Sequence, residues 1–176
     1  MTTRRADDPG EVTLAPVDFD PFAEAPSPTV YPLSEAQREI WSVVQMGPEA
    51  SCAYNQCFAL RLTGPVSSDA LRGAVAHLLA RHDALRSTFD ASGEWQVVHP
   101  PRPVDMPSLD LTGRSSAEQE TALAAIFAEE VETPFDLVSG PPTRVRLVIE
   151  APDRYVLVLT VHHIVCDGGA SRRSTV

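Results

Sequence analysis

The sequence has 176 residues, 43% of them hydrophobic, and a net charge of −10 at pH 7, which suits a single domain with a buried core. The acidic balance argues against nucleic-acid or anionic-membrane partners, because those bind through clustered cations. All 14 strongly basic residues are arginines, so chemistry that needs a lysine amine is excluded.

The first 30 residues are predicted to form a flexible leader, because they hold five prolines among scattered acidic side chains and lack a helical or strand period. They contain no apolar signal-peptide segment, and no apolar run in the chain reaches the length of a membrane span. We therefore expect a cytoplasmic protein without a membrane partner. The folded part is expected to cover residues 31–170, followed by an atypical tail over residues 171–176.

Helical and strand periods alternate through the first half of the folded part. A capping-box pattern followed by apolar residues at helical spacing predicts an amphipathic helix over residues 34–44. Aromatic and aliphatic residues predict a strand over 54–62, and a second helix of about five turns is predicted over 67–85. Two short β-rich runs, 87–89 and 95–98, flank the turn sequence D-A-S-G and predict a hairpin.

The second half is predicted to end in two adjacent strands. The prolines between residues 100 and 107 predict a connector without regular pairing, and serine caps then open a helix through residue 131. Pro134 stops that helix. Two β-rich runs follow, 144–150 and 155–163, and the second is apolar on both faces, as is typical of a central strand. The order of elements predicts an α/β fold in which a mixed sheet is covered by helices.

Two adjacent histidines, His162 and His163, come at the end of the predicted central strand. Successive side chains of a strand point to opposite faces, so one imidazole is expected to pack under the sheet while the other meets a substrate. The glycines after Asp167 give the next loop the freedom of a tight turn. A metal site is weakly indicated, since adjacent histidines diverge, and a nucleophile pair of Cys166 with His163 is similarly weak. The three cysteines include no C-x-x-C pair, which argues against a disulfide framework or structural zinc.

The spacing of the residues from His162 to Gly168 resembles a known family motif. His162, His163, Asp167 and Gly168 form the pattern H-H-x-x-x-D-G, which resembles the active-site motif of the condensation domains of nonribosomal peptide synthetases. These domains belong to the chloramphenicol-acetyltransferase-like superfamily. Three more segments resemble family motifs in the same order, namely S-E-A-Q at 34–37 with Trp41, R-H-D-A-L-R-S-T-F at 81–89, and T-P-F-D-L at 133–137 followed by Gly140, Pro141 and Arg144.

This resemblance implies a fold and an activity for the region from about residue 31 to residue 169. The chain would form the N-terminal lobe of a two-lobed domain that makes an amide bond between a thioester-bound acyl or aminoacyl donor and an acceptor amine. Both substrates would arrive on the phosphopantetheine arms of carrier proteins, with no cofactor bound by the domain itself. The expected partners are therefore peptidyl or acyl carrier domains and other synthetase modules.

The resemblance also places His162, His163, Asp167 and Gly168 at the active site, with His162 directed into the packing. His163 would face the reaction channel and promote attack of the acceptor on the thioester, as a base or as a positioning group. Asp167 would form an ion pair that holds the loop, with Arg81 or Arg86 as the candidate partner. Gly168 would leave space beside the thioester and offer its N–H to the developing oxyanion.

A complete domain of this family is two to three times as long as this chain, so the second lobe is expected to be missing and the tail to mark a truncation. One alternative is therefore a non-catalytic half domain, either a relic or a docking piece that binds a carrier or a synthetase subunit. Another is a related acyltransferase that forms esters. We expect the isolated chain to lack condensation activity and to aggregate, because faces that the second lobe would cover are exposed.

Overall fold

The computed structural model describes residues 28–166, which form two sheets with four α-helices packed on them. The strands are β1 (Thr29–Pro32), β2 (Asn55–Thr63), β3 (Ser87–Phe89), β4 (Trp95–Val98), β5 (Ser108–Asp110), β6 (Thr143–Ala151) and β7 (Arg154–His162). The helices are α1 (Glu35–Val44), α2 (Pro48–Cys52), α3 (Ser68–Arg81) and α4 (Ser116–Glu132), with 3-10 turns at Asp83–Arg86 and His163–Val165. The predicted α/β class, with a mixed sheet covered by helices, is confirmed.

The larger sheet places β7 in an interior position, in the order β2-β7-β6-β5. β7 pairs antiparallel with β2 and β6, and β5 adds a short parallel pairing to β6. Alternate residues of β7 face opposite layers: Val156 and Val158 pack in the cluster that includes residues of α4, whereas Tyr155 packs in the cluster that includes Val75 of α3. Because both faces are covered, the strand is apolar on both, as its sequence predicts.

The smaller sheet, in the order β1-β4-β3, supports α1. Trp41 of α1 packs against Phe89 of β3, with ring centroids 6.2 Å apart, in a cluster that also holds Ile164. The predicted capping box is present at the start of α1, since Ser34 accepts from the Gln37 amide and the Gln37 side chain accepts from Ser34. This packing fixes α1 beside the turn that follows β7.

The second predicted helix is too long by one turn. α3 ends at Arg81, His82 is extended with φ −114° and ψ 101°, and the chain continues as the 3-10 turn Asp83–Arg86. The turn is held by contacts of its own, because the Arg86 guanidinium bonds the Asp83 carboxylate and the His99 carbonyl. The chain has to leave the helix here because Ser87 already pairs with Val98 in the hairpin.

Three short elements were not predicted, and prolines account for each omission. β1 begins at Thr29, inside the predicted leader, and ends in Pro32, which is tolerated because β1 is an edge strand. α2 begins directly at Pro48, a residue suited to the first position of a helix. β5 follows Pro107 and belongs to the segment interpreted as a connector, yet its three residues pair parallel with β6.

The turn between β3 and β4 offers a direct test of this packing. Gly93 has φ +72°, and a Cβ built there would lie 2.1 Å from Cδ1 of Trp41. Gly93→Ala should therefore destabilise the fold by about 2–4 kcal/mol through backbone strain and overpacking. Gly113→Ala is the control, because its φ of +80° is similar but its Cβ would meet nothing within 4 Å. Urea denaturation measures both, and equal losses would show that Trp41 does not pack on this turn.

Candidate active site at the end of the central strand

The end of β7 separates the two histidines. His162 is the last strand residue and pairs with Asn55 of β2, whereas His163 begins the 3-10 turn, its amide donating to the Tyr54 carbonyl at 2.8 Å. The turn brings Ile164 back into the buried cluster around Trp41. The change from strand to turn thus gives the neighbouring imidazoles different surroundings.

His162 lies in the packed interior with 0% of its surface exposed. Its ring lies 6.0 Å from the Tyr54 ring and meets the edge of Phe135 at 6.0 Å, and its Nδ1 accepts from the Ile164 amide at 3.2 Å. Its Nε2 makes no hydrogen bond of standard geometry within residues 28–166, although the Ser51 backbone is close enough to favour the charged ring. Burial outweighs that effect and lowers the pKa of His162 to about 4.

This buried imidazole should make the fold sensitive to mild acid. Because the pKa of His162 is about 4 in the fold and about 6.5 in the unfolded chain, protons bind the unfolded state preferentially between these values. The contribution of neutral His162 to the free energy of unfolding is complete above pH 6.5 and is lower by about 2 kcal/mol at pH 5. Urea denaturation at pH 7.5 and pH 5 measures the loss, which should shrink in His162→Gln. An equally steep pH dependence in His162→Gln would assign the effect elsewhere.

His163, by contrast, is half-buried and faces an open groove. Its ring stacks on Tyr54 with centroids 6.4 Å apart and planes at 17°, and its Nδ1 lies 2.9 Å from Nε2 of Gln56. The remaining groove walls come from the start of α1, the end of α3 and the turn after β7, and include Ala36, Gln37, Ile40, Leu78, His82 and Leu85. His82 lies within the second predicted helix, over residues 67–85, but it is exposed in this groove because α3 ends before it.

A single glutamine joins α1 to the turn that carries His163. Besides capping its own helix, Gln37 donates through Nε2 to the Ile164 carbonyl at 3.3 Å and to Oε1 of Gln96 at 3.3 Å. The helix start, the small sheet and the turn are therefore bound at one point. This contact holds the start of α1 beside the turn that carries His163.

A buried ion cluster that the sequence analysis missed lies on the opposite side of the sheet. Glu130 of α4 is 1% exposed and accepts from Nε of Arg144 at 2.8 Å. The other carboxylate oxygen of Glu130 lies 2.6 Å from Nε of Arg146. This is an ionic contact, because its angle is poor for a hydrogen bond. The Arg144 guanidinium also lies 3.9 Å from the centre of the Phe135 ring, which contacts His162. The sequence signal was an acidic residue at the helical spacing of the apolar Leu123, Ile126 and Phe127.

The same cluster closes the C-terminal end of α4. Nδ2 of Asn55, at the start of β2, donates to the Thr133 carbonyl at 2.8 Å and the Val131 carbonyl at 3.0 Å. Arg144 donates to the Glu130 and Thr133 carbonyls at 2.8 and 3.0 Å. These donors satisfy carbonyls that a helix end leaves unpaired, and the arginine charge suits the negative end of the helix dipole.

The predicted support for the motif loop is only partly within the described residues. Asp167 and Gly168 lie outside them, so their roles and the ion pair of Asp167 stay predictions. Arg81 is exposed at the end of α3, and the described partners of Arg86 are Asp83 and the His99 carbonyl. Within residues 28–166 no three potential metal ligands lie together, and no helix has the length and apolar character needed to cross a bilayer.

Comparison with known proteins identifies the family to which this geometry belongs. The family model described as "Condensation domain" matches residues 27–172. The chain belongs to the condensation-domain family. Chondramide synthase cmdD of Chondromyces crocatus is 38% identical over 161 residues, covering 90% of this chain and 4% of that protein. Malpinin synthetase of Mortierella alpina is 40% identical over 139 residues, covering 78% of this chain and 2% of that protein.

Solved condensation domains share the fold of the described residues. The starter condensation domain of the rhizomide synthetase RzmA matches with a TM-score of 0.71 and 30% identity, over 81% of this chain and 36% of that chain. The first condensation domain of the CDA synthetase, at 24% identity and a TM-score of 0.68, supports the fold alone. The resemblance inferred from the motifs is thereby confirmed, and the chain spans about a third of these domain structures.

Proposed function

We propose that this chain supplies the N-terminal half of a condensation site, in which His163 promotes the attack of an acceptor amine on a thioester. The complete domain would form an amide between substrates carried on the phosphopantetheine arms of carrier domains, within a larger synthetase, with no cofactor of its own. Asp167 and Gly168 keep their proposed roles in holding the loop and leaving room for the thioester.

The placement of His163 carries this proposal. Its ring is clamped by the Tyr54 stack and the Gln56 contact, while the groove gives a substrate access to it. A fixed imidazole of this kind can exchange a hydrogen bond with a reacting amine or carbonyl without reorganising first. His162 is sealed in the interior and serves the same site only by packing beneath it.

A non-catalytic docking role is the second candidate, and one surface favours it. Phe58 and Leu60 of β2 are 37% and 54% exposed, and Leu78 of α3 is 39% exposed. Exposed apolar side chains at a sheet edge are typical of surfaces that another polypeptide covers. A related acyltransferase would use the same groove with an alcohol as the nucleophile and give an ester.

An assay with loaded carrier proteins separates these candidates. The chain alone should give no condensed product, whereas a complete condensation domain that contains residues 1–176 should give product that depends on His163. Amide or ester linkage is read from the mass and alkali stability of the product. Robust turnover by the chain alone would contradict a half site. A complete domain that binds carriers without turnover would favour the docking role.

A further inference from the structure

Gln56 contacts two of the polar side chains that line the groove, His163 and Cys166. It lies on β2, paired with Val161 of β7, one strand across from the turn that holds His163. Its Nε2 is 2.9 Å from Nδ1 of His163, and its Oε1 accepts from Sγ of Cys166 at 3.4 Å. Sγ of Cys166 is also 3.9 Å from Nδ1 of His163, so the three side chains form a closed triangle.

The nitrogen and the oxygen of the Gln56 amide need neighbours of opposite kinds, an acceptor for the nitrogen and a donor for the oxygen. An amide nitrogen can only donate and an amide oxygen can only accept, while a thiol is a donor and a poor acceptor. With its oxygen turned to Cys166, Gln56 directs its N–H at His163, so Nδ1 must accept and must be unprotonated. The proton of neutral His163 is then on Nε2. The flipped amide would need Nδ1–H and would place its nitrogen against the sulfur.

We propose that Gln56 is a positioning residue that holds neutral His163 in the tautomer protonated on Nε2, with Cys166 fixing the orientation of the amide. His163 then meets the groove as a hydrogen-bond donor and not as a base. Within residues 28–166 the only ring nitrogen of His163 with a hydrogen-bond partner is Nδ1. No described residue accepts from Nε2–H, and this is the position that the proposal assigns to a ligand in the groove.

The chemical step that this tautomer supports rests on the proposed function. The amine nitrogen attacks the thioester carbon while Nε2–H of His163 donates to the carbonyl oxygen, where negative charge develops. The C–N bond forms, the C–S bond breaks, and the amine proton leaves with the thiolate sulfur as a thiol. His163 ends the cycle with the proton it began with, so it needs no other base to restore it.

A histidine-labelled complete condensation domain that contains residues 1–176 allows the tautomer of His163 to be read directly by long-range proton–nitrogen NMR, without any assay of turnover. We expect Nε2–H at His163 in the wild type. In Gln56→Glu the carboxylate can only accept, so it favours the His163 tautomer that is protonated on Nδ1. The ratio of the Nδ1–H to the Nε2–H tautomer should rise by at least about tenfold, as expected for a hydrogen bond to a charged group. Gln45→Glu, the same change at the exposed C-cap of α1, should leave the ratio unchanged.

A variant of Cys166 gives a second test that leaves Gln56 in place. Cys166→Ala removes the thiol donor and frees the amide to flip, so it should give both tautomers of His163. His162, whose Nδ1 accepts from the Ile164 amide, is the internal reference. Nδ1–H at His163 in the wild type, or an unchanged tautomer in both Gln56→Glu and Cys166→Ala, would overturn the proposal.

Turnover in a complete domain then separates the positioning role from the function. Gln56→Glu should lower kcat by at least about tenfold, because a donor to the developing oxyanion is lost. A rise in kcat would show that His163 acts as a base and would overturn the donor role. Wild-type turnover that ignores His163, with the Nε2–H tautomer still observed, would count against the proposed function and leave the role of Gln56 in the tautomer intact.

Discussion

His163→Ala in a complete condensation domain that contains this chain should lower kcat by about 10²–10⁴-fold, the range that a positioned proton donor or acceptor contributes. The physical reason is the clamp around the ring, since Tyr54 and Gln56 hold it at the groove without a substrate present. Carrier-loaded substrates and single-turnover kinetics measure the chemical step apart from product release.

His77→Ala is the matched control for this loss. His77 is exposed on α3 and is not among the residues that line the groove, so its removal should leave kcat within about twofold, as expected of a surface substitution. Urea denaturation of both variants excludes unfolding as the cause. Normal turnover by a folded His163→Ala domain would remove His163 from the reaction and return the docking role to first place.

Glu130→Ala should destabilise the fold by about 3 kcal/mol, the lower end of the range for breaking a buried ion pair. Glu130 is 1% exposed, and its loss leaves the charges of Arg144 and Arg146 without their shared carboxylate. Both guanidiniums are partly exposed, with 24% and 31% of their side-chain surface in solvent, which allows water to replace part of the contact. Urea denaturation at pH 7.5 gives the free energy of unfolding.

The neighbouring residue supplies a control with the same charge. Glu129 bonds Arg146 at 2.7 Å but is 55% exposed, so Glu129→Ala should cost less than about 1 kcal/mol. If the two variants were equally stable, the carboxylate of Glu130 would not be buried as the structure has it. The Glu130 variant should also loosen the packing of Phe135 against His162, because Arg144 lies over that ring.

The spacing of apolar and polar residues predicted the helices and strands that pack against a core on one face or on both faces. The capping box at Ser34, the hairpin before residue 99 and the apolar β7 follow from local rules of spacing. The different fates of His162 and His163 were also expected, because a strand cannot turn neighbouring side chains to one face. These features depend on the residues themselves and their immediate neighbours.

The features that escaped prediction depend on partners far along the chain. Gln56 lies 107 positions before His163, and nothing in its own segment marks a polar residue in an apolar strand as a partner of that ring. β5 consists of three residues that become a strand only because β6 offers a free edge. The end of α3 is likewise set by the pairing of Ser87 in the hairpin. Local propensity cannot report such contacts, because tertiary pairing overrides it.

The pairing of β2 with β7 has a consequence for the order in which the molecule assembles. Asn55 and His162 are partners although about a hundred residues separate them, and at about 5–20 residues per second a ribosome needs roughly 5–20 s to make that interval. β2, with Phe58 and Leu60 on its surface, has to wait that long for its only strand partner among the described residues. Contacts so distant in sequence also close slowly after synthesis. The groove beside His163 is therefore among the last parts of this fold to form, and the nascent chain is most open to chaperones or misassembly just before it does.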